Sequence, residues 1–138
     1  MITNFKIYEN FGIMMDTEKS EIGVKVLHIL SQVQIFHWQA QKMGHHNVFD
    51  EFADDFKEMA DNLLEVIQGK YGRINLDQGT YIPVRNEIEL SPYQFADQCA
   101  EVFRMYQNNI FKEDQEIVAL IDEVVALFEK LKYLLTFN

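Results

Sequence analysis

Two pairs of side chains in the middle of the chain have the residue types and the spacing of metal ligands. His46 and Asp50 are four residues apart, and so are Asp61 and Glu65. Side chains four residues apart are neighbours on the surface of a helix, so each pair could bind one ion. Imidazole together with carboxylate is a ligand mixture suited to iron, manganese or zinc. The spacing therefore predicts a histidine–carboxylate metal site.

Both pairs belong to one polar stripe on a predicted helix. At about 100° per residue the stripe covers an arc of roughly 120°, and it consists of His46, Asp50, Asp54, Glu58, Asp61 and Glu65. An acidic stripe is more often just the solvated face of an amphipathic helix. The histidine at the head of this stripe and the two four-residue spacings favour metal binding here.

A further histidine, His37, lies at the end of the apolar stripe of the preceding helical segment. Taken alone, this position is more typical of a core histidine than of a ligand. However, His37 comes just before a predicted turn and His46 comes just after it. The two imidazoles can therefore lie side by side at the same end of two antiparallel helices.

The length of the second helix limits how these residues can share an ion. His46 and Asp61 are fifteen residues apart, which on one straight helix is a separation of about 22 Å. The two pairs therefore cannot close on one ion within a single chain. If they share an ion, one pair must come from another subunit, and a two-fold interface would then create two equivalent sites.

The net charge and the composition of the chain argue against some classes of function. The balance of 12 basic against 22 acidic residues gives a formal net charge of −10. Such a chain attracts cations and repels phosphate backbones, so DNA binding is disfavoured. No apolar run approaches the roughly 18–20 residues that span a bilayer. The single cysteine, Cys99, cannot form an internal disulfide, so we expect a reducing, cytoplasmic location.

Helical periodicity predicts four helices in an all-α domain. The first runs from about residue 16 to 43 and the second from about 46 to 71. Ser91 and Pro92 provide an N-cap and a first helical residue for the third, and the fourth covers the apolar residues between 117 and 135. Residues 1–15 are predicted to form an N-terminal arm, and residues 16–138 a single domain.

The lengths of the connections predict the topology. The first two helices share a tight turn, and so do the last two, so each pair is antiparallel. The middle connection of about 20 residues can extend to roughly 65 Å, whereas a 24-residue helix is only about 36 Å long. Two hairpins joined by one long crossover form the ferritin-like four-helix bundle.

Three sequence segments resemble a known family. They are Phe36-His37-Trp38, the run HNVFDEF at 46–52, and the run DNLLE at 61–65. Dps-like mini-ferritins show an HW pair, an HxxFDE segment and a DxxxE segment in this order. The motifs cover residues 36–65, and the helix count and the crossover extend the resemblance across most of the chain.

The resemblance implies a ferroxidase centre at a two-fold dimer interface, with no catalytic residue beyond the metal ligands. Residues matching His37, His46 and Asp50 would come from one subunit, and those matching Asp61 and Glu65 from its neighbour. Members of this family form hollow dodecamers, oxidise Fe²⁺ to Fe³⁺ with peroxide or oxygen, and store the ferric mineral. Many also protect DNA.

Other residues near these motifs have accessory roles to consider. Asp54 and Glu58 could help nucleate mineral, although a solvated surface role is favoured for both. Trp38 could pack against the centre, but burial in an ordinary interface is the better interpretation. His45 adjoins His46 and could replace it as a ligand; the four-residue spacing to Asp50 favours His46.

The chain also departs from the family pattern. The stretch between His37 and His46 is about three residues shorter than usual for the family, which could change the direction in which the His37 side chain points. There is no basic N-terminal extension, so DNA binding is not carried over. An ExxH segment, which builds a di-iron site within one subunit, is absent. Two alternatives remain: a ferritin-like assembly protein that stores no iron, and a structural zinc or manganese site at the dimer interface.

Overall fold

In the computed structural model, the backbone of residues 2–137 and the side chains of residues 16–137 are described. This part of the chain forms four helices and no strand: α1 (Ile2–Gln39), α2 (Met43–Tyr71), α3 (Pro92–Asn109) and α4 (Gln115–Leu134). Helix α2 packs against α1 and α4, and α3 packs against α4. The prediction of an all-α four-helix protein is confirmed.

The first helix differs from its predicted bounds at both ends. It begins at Ile2 rather than near residue 16, so the backbone of 2–15 continues α1. The side chains of residues 1–15 lie outside the described part, and the packing of the predicted N-terminal arm stays a prediction. At the other end α1 stops at Gln39 rather than near residue 43. Lys42 is extended, with φ −110° and ψ 134°, and caps the start of α2 at Met43.

The apolar stripes predicted on the four helices meet in one core. Four phenylalanines from three helices form its centre: Phe52 and Phe56 of α2, Phe103 of α3 and Phe128 of α4. The ring centroid of Phe128 lies 5.2 Å from that of Phe52, 5.6 Å from that of Phe56 and 6.1 Å from that of Phe103. Aromatic pairs at such distances add about 0.5–1.5 kcal/mol each beyond the burial of their area.

Residues 72–91 connect α2 to α3 and run along α1. At one end, the Lys19 ammonium donates to the carbonyls of Tyr71 (2.6 Å) and Gly72 (3.1 Å). Further along, the Gln32 amide exchanges two 2.8 Å hydrogen bonds with the backbone of Arg85. Because Lys19 and Gln32 are thirteen residues apart, these contacts hold the connection along about 20 Å of α1.

Local capping residues set the ends of the helices. The Ser91 hydroxyl accepts from the backbone N–H of Gln94, which confirms the predicted start of α3. The Asp114 carboxylate accepts from the N–H of Ile117 at the start of α4. Gly72 ends α2 with φ +96°, a value that glycine adopts without the strain of a Cβ. No helix in the described part of the chain is long and apolar enough to cross a membrane.

Candidate metal centre

The two predicted ligands His37 and His46 contact each other across the turn between α1 and α2. The Nδ1 atom of His37 lies 2.9 Å from the carbonyl oxygen of His46, and the Nδ1 atom of His46 lies 2.9 Å from the carbonyl oxygen of His37. The two rings are stacked, with centroids 3.9 Å apart and planes inclined by 24°. Both side chains are half-buried.

These reciprocal hydrogen bonds determine which ring nitrogens are available. A backbone carbonyl can only accept, so each Nδ1 must carry the proton that it donates. In a neutral imidazole the lone pair is then on Nε2, the atom that can bind a metal ion. Metal-binding histidines usually donate their other ring N–H to a carbonyl or carboxylate, and both histidines have that arrangement here.

The short turn explains why the two histidines meet. The carbonyl of His37 belongs to the last turn of α1, where carbonyls have no partner within their own helix. His46 supplies the missing donor from the first turn of α2. His46 follows His37 by only nine positions, so the short turn brings each ring onto the backbone of the other.

Asp50 lies one turn after His46 on α2 and is exposed. In the described part of the chain, its carboxylate makes no hydrogen bond or ion pair. No three histidine, cysteine, aspartate or glutamate side chains among the described residues come together in a group that could hold one metal ion. One subunit therefore presents the two contacting imidazoles without a complete set of ligands.

The second predicted pair lies further along α2 and faces solvent. Asp61 accepts from the Lys57 ammonium at 3.0 Å, and both side chains are more than half exposed. Glu65 is exposed one turn later. The helix is continuous from Met43 to Tyr71, so the separation of about 22 Å between His46 and Asp61 holds within a chain. Lys57 was not considered in the sequence analysis, although its position four residues before Asp61 marks it as an ion-pair partner.

His45 has a different partner from its neighbour. Its Nε2 lies 2.6 Å from the carbonyl oxygen of Phe137, near the C-terminus, and its ring lies edge-on to Phe49 with centroids 6.4 Å apart. Because a carbonyl only accepts, Nε2 of His45 carries a proton and is engaged at the C-terminal segment. Nε2 of His46 makes no hydrogen bond to a described residue, so His46 is better placed than His45 to bind a metal ion.

The remaining predicted accessory residues lie on the surface. Asp54 and Glu58 are exposed on α2, and the Trp38 side chain is 69% exposed at the end of α1. Trp38 is therefore not buried within the subunit.

Comparison with known proteins adds one assignment. No curated protein and no solved structure matches the chain. A family model, described as a family of unknown function (DUF5856), matches residues 37–135. The match covers more than two-thirds of the chain, and its range begins at His37 and includes His46, Asp50, Asp61 and Glu65. The chain belongs to the family DUF5856.

Proposed function

We propose that this protein is a Dps-like ferroxidase that oxidises Fe(II) with peroxide or oxygen at a site shared between two subunits. The observation that carries the proposal is the pair His37 and His46, each of which donates Nδ1–H to the carbonyl of the other. Both Nε2 atoms are thereby left available as ligands for a cation.

The two halves of the site would come from different subunits. One subunit would contribute the two imidazoles and the Asp50 carboxylate, and the partner subunit would contribute Asp61 and Glu65. Two observations support this division. His46 and Asp61 are about 22 Å apart along α2, and the side chains of Asp61 and Glu65 are exposed. Carboxylates stabilise Fe(III) more than Fe(II), so a site with three of them favours the oxidation of the substrate iron.

The electrons in this reaction pass from iron to the oxidant, and no redox-active group of the protein is needed. Two Fe(II) ions give up two electrons, and one hydrogen peroxide accepts them as its O–O bond breaks, which yields two hydroxide ions and two Fe(III). Histidine and carboxylate are ligands that iron accepts. The formal charge of −10 attracts Fe²⁺ towards the protein.

Assembly into a ferritin-like cage is part of the same proposal. The contacts of residues 72–91 along α1 support the long crossover of that bundle. Several large apolar side chains are exposed on the single chain, including Trp38 (69%), Met43 (72%) and Ile88 (94%). Exposed apolar side chains of this size are typical of surfaces that oligomers bury. We propose a dimer that makes two sites, and a dodecamer built from six such dimers that stores ferric iron in the cytoplasm.

The proposal is tested by loading the purified protein with Fe(II) under anaerobic conditions and then adding peroxide. Ferric absorbance should rise much faster than in protein-free buffer, and the ferric product should co-elute with the oligomer in size-exclusion chromatography. His46→Ala and Asp61→Ala should each reduce the rate by at least about tenfold, as expected for the loss of a metal ligand or its support.

Glu101→Ala is the matched control, because Glu101 is an exposed carboxylate on α3 without a hydrogen bond to a described residue. This variant should oxidise iron at the wild-type rate. Equal rates in wild type, His46→Ala and Asp61→Ala would contradict the proposal. A wild-type protein that binds zinc or manganese tightly but leaves Fe(II) oxidation at the background rate would instead indicate a structural metal site.

A further inference from the structure

A polar groove lies at the other end of α1 from the two histidines. It has a volume of about 790 Å³ and is bounded by the segment of α1 from Asp16 to His28, by residues 73–83 of the connection, and by Tyr106 of α3. Lys25, within this segment, is twelve residues before His37, which corresponds to about 18 Å along the helix. The groove is therefore separate from the proposed metal centre.

The walls of the groove are held in place by contacts between α1 and the connection. The Ser20 hydroxyl lies against the carbonyl oxygen of Asn75, and the nearby Lys19 ammonium donates to the backbone of Tyr71 and Gly72. Gly23 is buried, and a Cβ at this position would lie 3.3 Å from the Ile74 side chain. These contacts hold the two walls of the groove together, and its volume is in the range of small-molecule sites.

Four charged side chains in the groove have no ion-pair partner in the described part of the chain: Lys25, Arg73, Glu21 and Asp77. Glu21 and Lys25 have the four-residue spacing and the order that favour an ion pair on a helix, yet they do not form one. The fifth charge, Asp16, is paired with Lys19 at 3.0 Å. Two cations and two carboxylates are therefore available to a ligand.

The surroundings of Lys25 leave its positive charge uncompensated. Its ammonium lies 5.6 Å from the centroid of the Phe95 ring and close enough to the Cys99 thiol to influence its pKa. Burial raises the pKa of Cys99 to about 11, so the thiol is neutral at physiological pH. Burial and the nearby Lys25 both lower the pKa of His28, so His28 is also neutral.

The phenol of Tyr106 is a further polar group in the wall of the groove. Burial raises its pKa to about 12, with a further contribution from Glu21, so the hydroxyl remains a protonated donor. The pKa of Glu18 is also raised, first by burial and then by repulsion from Glu21. Glu21 therefore lies close to both Tyr106 and Glu18.

We propose that this groove binds a small zwitterion, such as a free α-amino acid, with its carboxylate at Lys25 and Arg73 and its ammonium at Glu21 and Asp77. Equal numbers of unpaired cations and carboxylates match a ligand that carries both charges. A phosphate dianion would gain from the two cations but would be repelled by the two carboxylates. A simple amine would be repelled by the two cations.

The test measures the binding of the free α-amino acids to the metal-free, full-length protein by thermal shift and by calorimetry. At least one amino acid should raise the midpoint of unfolding in a saturable manner, whereas acetate, methylamine and inorganic phosphate should not. Lys25→Met and Glu21→Gln should each weaken the affinity by at least about tenfold, the usual effect of removing a charge-assisted hydrogen bond. Glu101→Gln, on α3, should leave it unchanged.

Arg73→Gln is a second variant for the case in which Lys25→Met fails to fold, because Arg73 is exposed. It should also weaken binding. The absence of saturable binding by any amino acid up to about 10 mM would overturn the proposal, as would equal affinity in wild type and the folded variants. Equal binding of acetate or phosphate would overturn it as well, because the groove would then recognise an anion alone.

Discussion

The variants His46→Ala and Asp61→Ala, each expected to lose most of the ferroxidase activity alone, should recover part of it when the two variants share a dimer. The two residues lie about 22 Å apart on one continuous helix. Ligands of a transition metal such as zinc lie about 2.0–2.2 Å from the ion, so two of them are separated by at most about 4.4 Å. A shared ion therefore requires His46 of one subunit and Asp61 of another.

The size of the recovery follows from the two-fold symmetry. In a mixed dimer, one site has both substitutions and the other has neither. Random reassociation of equal amounts makes half of all dimers mixed, and each mixed dimer has one intact site of two. About a quarter of the wild-type activity should therefore return.

The assay unfolds equal amounts of the two variants together in denaturant, refolds them by dilution, and follows ferric absorbance after Fe(II) and peroxide are added. Wild-type protein taken through the same steps defines full activity. The control mixes His46→Ala with Asp50→Ala, whose substitutions lie in the same half of the site, so both sites of a mixed dimer stay defective. Recovery in this control, or no recovery with Asp61→Ala, would refute a site shared between subunits.

Three further predictions concern single residues. Lys57→Met removes the cation that pairs with Asp61 at 3.0 Å and would compete with a metal ion for it. Exposed ion pairs contribute about 0.2–1 kcal/mol, so anaerobic titration should show that the variant binds Fe(II) more tightly, by less than about fivefold. Weaker Fe(II) binding would contradict this competition. Lys19→Met removes the buried ammonium that donates to the carbonyls at the end of α2. Urea unfolding should then show a free energy of unfolding lower by about 1–3 kcal/mol. An unchanged midpoint of unfolding would be inconsistent with that role of Lys19. Burial opposes a low pKa at Asp114, but hydrogen bonds from Lys70, Tyr71 and the N–H of Ile117 outweigh it and lower the pKa from 3.8. This stabilisation is present above pH 3.8 and is lost as the pH falls through the lower pKa of the folded state. In Asp114→Asn, the free energy of unfolding should therefore fall less steeply towards acid pH than in the wild type. Parallel pH dependences of wild type and variant would exclude the contribution.

Much of the fold could be read from local patterns. The apolar residues between 117 and 135, which were assigned to the fourth helix from their spacing, are largely buried in α4. Ser91 and Pro92 marked the start of α3 because capping depends on residues that are adjacent in sequence. The end of α1 was less predictable: the first helix was expected to run to about residue 43, but α1 ends at Gln39 and Met43 already belongs to α2.

The buried polar residues could not be predicted in the same way. Lys19, Gln32 and Gln107 are 2%, 0% and 7% exposed. Each has at least one partner in another part of the chain: Lys19 at the end of α2, Gln32 at Arg85, and Gln107 at Val118 and Asp122. A buried polar group must be hydrogen-bonded, but its partner is known only once distant segments are packed together.

The candidate metal centre combines both kinds of information. The sequence by itself determined that His46/Asp50 and Asp61/Glu65 share one face of a helix and cannot meet within a chain, because the rise of a helix per residue is constant. Only the tertiary structure decided which nitrogens of His37 and His46 are free, because the backbone carbonyls that take their Nδ1 protons are brought into place by the turn between α1 and α2.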